Sequence, residues 1–119
     1  MLKAVIVVLA GTESKSDLGR VVNALEAVKE FKQNDDDDVR LVFDGAGVQW
    51  IRVLAASDHD YHLLFEEVRD RVQGICSYCA NAFEERDAVE KAGLPFVDEF
   101  EGHPSFRGFV KNGYSVITF

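Results

Sequence analysis

The sequence predicts a single-domain α/β sandwich over residues 1–119, built on a mainly parallel sheet of about five strands with helices on both faces. Three observations predict it. Ala4-Val5-Ile6-Val7-Val8-Leu9-Ala10 is a continuous, largely β-branched apolar run with no polar alternation, the pattern of a strand buried on both sides. Segments of helical period then separate it from further short apolar runs, so strands and helices alternate and the connections become crossovers. The chain has 119 residues, 47% hydrophobic, and is long enough to bury a core without a disulfide or structural metal.

The first strand, residues 3–10, ends at Gly11. Ser14 or Ser16 can cap the helix that follows, with Asp17 favourable in its first turn. Leu18, Val21, Val22, Leu25 and Val28 fall on one stripe of that helix. Asn34-Asp35-Asp36-Asp37-Asp38 breaks it: adjacent aspartates repel and hydrogen-bond their own backbone, which predicts a solvated loop. A calcium loop would need alternating carboxylates, a glycine and a distal Glu, and this run has no such pattern. Val39–Phe43 reads as the second strand. Asp44-Gly45-Ala46-Gly47 after it reads as a tight strand-to-helix turn, since neither a dinucleotide fingerprint nor a Gly-Lys-Ser/Thr element accompanies the glycines.

A short helix (Val48, Ile51, Leu54) and a longer one (Tyr61, Leu64, Phe65, Val68, Val72) come next, the latter capped by Asp58 and ended by Gly74. Ile75-Cys76-Ser77-Tyr78 is expected as a third strand. One helix is expected over 81–92, with Gly93 after it and Pro95 beyond. Phe96–Phe100 is a candidate fourth strand, Pro104–Lys111 a last helix closed by Asn112-Gly113, and Tyr114–Phe119 the final strand. Loops 11–15, 44–47, 77–81 and 99–104 would then gather at the carboxyl edge of the sheet, where such folds place their sites.

Composition excludes several roles. A net charge of −8, from 21 acidic and 13 basic residues, argues against nucleic acid, whose phosphates require clustered Lys and Arg. The apolar run at the start has no small-residue cleavage site after it and is too short to span a bilayer, so a cytosolic protein without membrane attachment is expected. No cofactor is predicted, and no metal site is assigned.

Chemistry points to Gly74-Ile75-Cys76-Ser77-Tyr78-Cys79-Ala80-Asn81, which holds both cysteines three residues apart. A thiolate is a strong nucleophile, and a strand-to-helix turn offers exposure together with backbone N–H groups that stabilise the anion. Glu13, Asp44 and Glu84 lie in neighbouring loops and would oppose ionisation, while no Lys or Arg lies between Gly74 and Glu85. The pair fits a sulfur carrier, a Cys-x-x-Cys redox dithiol, a zinc site completed by His59 and His62, or two packed small hydrophobes. His103 could lower a thiol pKa or accept its proton, and Tyr78 and Asn81 are further candidate supporting residues. Trp50, Phe106 and Phe109 read as core or as an apolar subunit interface.

These pieces, in this order, resemble the DsrE/DsrF-like family, which includes the YchN-like proteins and subunits of bacterial sulfur-relay complexes. The likeness runs from the Lys3–Ala10 strand and the Leu18–Val28 helix through Phe43-Asp44-Gly45-Ala46-Gly47-Val48. It continues through the cysteine turn before Ala80-Asn81-Ala82 to Gly113-Tyr114-Ser115-Val116-Ile117. The resemblance implies a compact α/β sandwich assembled as a homo-oligomer, a trimer or hexamer. It also implies carriage of sulfane sulfur as a persulfide between donor and acceptor proteins, as a sulfurtransferase or carrier. The family's functional cysteine corresponds to Cys79, and Cys76 to the extra cysteine of two-cysteine members.

Overall fold

A computed structural model describes all residues, Met1–Phe119. Its strands are β1 (Lys3–Val8), β2 (Asp38–Phe43), β3 (Val72–Cys76), β4 (Phe96–Val97) and β5 (Ser115–Thr118). Its helices are α1 (Lys15–Lys32), α2 (Trp50–Leu54), α3 (His62–Val68), α4 (Ser77–Ala82), α5 (Arg86–Ala92) and α6 (Phe106–Lys111), with 3-10 turns at Gly45–Gln49 and Arg69–Arg71. The strands form one all-parallel sheet in the order β4-β3-β2-β1-β5.

That order explains an asymmetry between the two faces. From β1 to β4 the chain steps along the sheet in one direction, so right-handed crossovers put α1 to α5 on one face. Only the β4-to-β5 connection runs back, and it carries α6 across the other face. The main core accordingly joins Ile6, Val8, Leu41, Phe43 and Ile75 to Val21, Leu25, Val28, Leu54, Phe65 and Val89. Beneath α6 lies a smaller cluster of Val5, Val7 and Val42, edged by Phe109, Tyr114 and Val116. Burying a Leu, Ile or Phe side chain contributes about 1.5–3 kcal/mol, so most of the apolar stabilisation lies on the first face.

Several elements follow the sequence closely. Ser14 is the cap of α1, accepting the Asp17 N–H at 3.1 Å, and Val21, Leu25 and Val28 are fully buried. The aspartate run forms a turn, but Asp38 belongs to β2 and pairs with Lys3 of β1. Trp50 is core, its indole N–H donating to the Ala10 and Gly11 carbonyls at 2.9 Å each and fixing the loop after β1.

Three elements depart from expectation. The third helix stops at Val68 without a side-chain cap from Asp58, and Val72 and Gly74 lie in β3. Gly74 pairs with Val42, and a Cβ there would drive into Val97 of β4; the glycine permits a close strand approach rather than ending a helix. Ser77 and Tyr78, expected in the third strand, begin α4, and the segment expected as one helix over 81–92 is divided between the end of α4 and α5. Glu84 adopts φ 56°, and the Glu85 N–H reaches the Ala80 carbonyl at 2.8 Å while the Glu84 N–H reaches Asn81 at 3.1 Å. This is a Schellman end with glutamate where glycine is usual, so no local signal marks it. Finally, β4 covers only Phe96–Val97, because Phe100 turns back to pair with His103.

Candidate functional site

The carboxyl ends of β2 and β3 set the site. Asp44 follows β2 in extended conformation, its N–H bonded to the Val8 carbonyl at 3.0 Å and its side chain accepting the Gly45 N–H at 2.8 Å. Gly47 lets the 3-10 turn lie directly on the end of β1, since any Cβ would collide with the Val8 carbonyl oxygen. The glycines therefore serve a close packed turn, which aims the Asp44 carboxylate across the sheet edge.

Cys76 ends β3 and is fully buried; Cys79 sits in the first turn of α4 and keeps 9% of its surface. Both are free thiols. The Cys79 N–H points at Cys76 Sγ (3.4 Å), and the Cys79 thiol donates to Asp44 Oδ1 at 3.5 Å. Cys76 Sγ lies 3.3 Å from His103 Nδ1 and 3.8 Å from the Gly102 carbonyl. Burial pushes the Cys76 thiol well above the usual range, the neighbouring Asp44 and Cys79 reinforce the shift, and the Cys79 N–H opposes it. The exposure expected of a strand-to-helix turn is largely lost: both cysteines join the main core, and the 99–104 segment closes over Cys76, while Cys79 keeps a small accessible surface.

His103 owes its place to a two-residue hairpin. Phe100 and His103 exchange backbone hydrogen bonds at 2.9 and 2.8 Å around Glu101 (φ 51°) and Gly102 (φ 86°), both left-handed as a type I′ turn requires. The Gly102 carbonyl also accepts the Tyr78 N–H at 2.9 Å, locking the hairpin to α4. Tyr78 is 57% exposed and stacks on the His103 ring with centroids 4.6 Å apart, so it covers the site rather than filling the core.

The ligand-bearing atoms of Asp44, Cys76, Cys79 and His103 all lie within 4.8 Å of one another. His59 and His62 are not among them: His59 Nδ1 accepts the Tyr61 N–H, and His62 Nδ1 lies 2.7 Å from the Leu54 carbonyl. Asn81 is exposed and accepts a hydrogen bond from Arg86 at 3.4 Å. As expected, Asp44 opposes thiol ionisation, its charge and hydrogen bonding helping to raise the Cys76 thiol, and it is also the hydrogen-bond partner of Cys79. His103, expected as a partner for a thiol, pairs with Cys76.

An open parallel α/β sheet with a buried dithiol cluster at its carboxyl edge defines the class. The chain belongs to the DsrE/DsrF-like family, whose model matches residues 3–119. It is 27% identical over 97 residues to the uncharacterised protein MJ0733 of Methanocaldococcus jannaschii, covering 82% of this chain and 78% of that one. Among solved structures it is similar to BT1422, a conserved protein of unknown function from Bacteroides thetaiotaomicron (TM-score 0.65, 13% identity, 97% and 94% coverage). It also resembles the ychN protein of E. coli (TM-score 0.60, 16% identity, all of both chains). MTH1491 of Methanobacterium thermoautotrophicum, a protein of unknown function, shares the fold at TM-score 0.56 and 18% identity, with 98% and 99% coverage.

Proposed function

We propose that this protein is a small cytosolic sulfur-relay protein that carries sulfane sulfur as a persulfide on Cys79, with Cys76 as the resolving thiol. The observation that carries this reading is the gathering of two free thiols, a carboxylate and an imidazole within 4.8 Å at the carboxyl edge of a DsrE/DsrF-like sheet. Cys79 suits the carrier role because it retains accessible surface, whereas Cys76 retains none. The cytosolic assignment rests on the expectation from the sequence; no helix is long and apolar enough to cross a membrane.

Loading begins when the Cys79 thiol gives up its proton, with Asp44 Oδ1 as the adjoining acceptor. The thiolate attacks the outer sulfur of a donor persulfide, R–S–SH; the donor's S–S bond breaks, R–S⁻ leaves, and Cys79 becomes Cys79–S–SH. Delivery repeats the exchange with an acceptor thiolate attacking the outer sulfur. Alternatively, Cys76, its proton taken by His103, attacks Cys79 Sγ and expels HS⁻, so that the sulfane sulfur is reduced to sulfide as the two thiols are oxidised to a disulfide. Tyr78 and Phe100, both exposed beside His103, supply an apolar rim on which donor and acceptor proteins can dock. Phe106 and Val110 of α6 and Ile117 of edge strand β5 are also exposed, which supports assembly as a trimer or hexamer.

The test is the intact mass of the reduced, chelator-treated protein after exposure to a sulfane-sulfur donor, alongside Cys79→Ser and Cys76→Ser. A gain of one sulfur atom, lost in Cys79→Ser and retained in Cys76→Ser, is expected. Loss of two hydrogens in the parent with no sulfur gain in Cys76→Ser, where a persulfide on Cys79 could not be resolved, would instead identify a redox dithiol.

A further inference from the structure

We infer that Asp44, Cys76, Cys79 and His103 form a tetrahedral binding site for a zinc-class divalent ion. The four residues come from separate segments: the end of β2, the end of β3, the first turn of α4 and the hairpin before α6. Each offers one ligand atom, and no two of these atoms are more than 4.8 Å apart. Around a tetrahedral zinc with Zn–S near 2.3 Å and Zn–N or Zn–O near 2.0–2.1 Å, ligand atoms stand about 3.2–3.8 Å from one another. Cys76 Sγ to His103 Nδ1 (3.3 Å) and Cys79 Sγ to Asp44 Oδ1 (3.5 Å) already fall in that range. The remaining pairs stand no more than 4.8 Å apart.

The donor set selects the ion. Two sulfurs and an imidazole favour zinc over magnesium or calcium, which take oxygen ligands, and the two-residue spacer between the cysteines is that of tetrahedral thiolate sites. Binding replaces the two thiol protons, which are released to solvent; the ion's two positive charges meet two thiolates, one carboxylate and a neutral imidazole, leaving a centre of net charge −1. The surroundings hold each ligand in place. The Cys79 N–H points at Cys76 Sγ, the Gly45 N–H holds Asp44, and the Tyr78 ring together with the Phe100–His103 pairing orients the imidazole. Three of the four residues are buried, so the ion would be shielded from competing water.

This inference does not depend on the sulfur-carrier reading. A bound ion coordinates both thiolates and so withholds them from sulfur exchange; the ion-loaded protein is the form that resists persulfide loading. Sulfur uptake is measured on chelated protein and metal uptake without a sulfur donor, so either reading can fail alone.

The test is titration of the reduced, chelator-treated full chain with Co²⁺, followed by displacement with Zn²⁺. Expected are one Co²⁺ per chain, the intense visible bands of tetrahedral cobalt, a near-ultraviolet thiolate-to-cobalt charge-transfer band for two sulfurs, and release of two protons. Asp44→Asn and His103→Ala should each weaken binding at least about tenfold, as losing even an outer-shell partner does. The paired Cys76→Ser/Cys79→Ser variant should lose the charge-transfer band, and His59→Ala/His62→Ala should bind as the parent does. Absence of the charge-transfer band in the parent protein, a weak octahedral cobalt spectrum, or dependence on His59 and His62 would overturn the inference. Because the parent spectrum itself reports ligand type and geometry, the outcome does not rest on every variant folding.

Discussion

The imidazole of His103 faces the thiol of Cys76, 27 residues away along the chain, with Nδ1 3.3 Å from Sγ. The other thiol of the pair has a carboxylate as its partner, Asp44, at 3.5 Å. Two cysteines separated by one helical turn thus meet chemically different proton acceptors, and their reactivity should separate accordingly.

Removing either acceptor should move Cys76 in opposite directions. Asp44→Asn takes away a negative charge that helps hold the Cys76 thiol protonated, so alkylation of Cys76 in metal-free protein should begin at lower pH. His103→Ala removes the adjacent base and should slow that alkylation by about a hundredfold at neutral pH, the lower end of the range for a positioned proton acceptor. Peptide-resolved mass spectrometry of timed iodoacetamide labelling checks both; equal rates in parent and His103→Ala would show that the contact has no effect on reactivity.

The hairpin that presents His103 carries a strained residue. Glu101 sits at φ 51°, a left-handed conformation that costs an L-residue roughly 1–2 kcal/mol. Glu101→Gly should relieve it and, after the entropy lost by a more flexible unfolded chain, raise unfolding free energy by about 0.5–1 kcal/mol. Urea denaturation reads this directly. Gly102→Val should do the reverse, since φ there is 86° and a Cβ would press on Tyr78 Cβ at 3.3 Å.

On the opposite end of the sheet, acid stability should depend on Asp38. The Arg40 guanidinium, hydrogen-bonded at 2.8 Å, holds the Asp38 carboxyl below its ordinary range, and the Tyr114 hydroxyl donates to it as well. A folded pKa below the unfolded value of about 3.9 means that this stabilisation is present above that pH and is lost as pH falls through the folded pKa. Tyr114→Phe removes one of the two donors, so it should cost about 1 kcal/mol at pH 7, allowing for partial solvent screening, and less as the pH approaches 2. Urea midpoints at pH 7 and pH 3 decide it; an equal loss at both would assign the effect to packing of the ring.

Local patterns carried much of the fold. The β-branched run of β1 reads as a buried strand, and the Leu18–Val28 stripe as a helix with one apolar face. Where local signals failed, a tertiary contact had overridden them. Gly74 resembled a helix stop but provides clearance for Val97, and the break after Ala82 is made by Glu84, a residue with no intrinsic preference for the left-handed turn it adopts. His103 was visible as a residue at the right edge of the sheet, but only the Phe100–His103 pairing decided which sulfur it would meet.

By itself, the sequence determined the alternation of strands and helices, the parallel sheet, and the position of the cysteine pair where a strand gives way to a helix at the carboxyl edge, because periodicity and turn chemistry are local properties. Only the tertiary structure decided the unequal faces, since the strand order β4-β3-β2-β1-β5 sends five helices one way and one the other. It also decided the composition of the site. Asp44 and His103 reach the thiols across 35 and 27 residues, and separations of that size are fixed by how the loops close over the sheet, which no short pattern encodes.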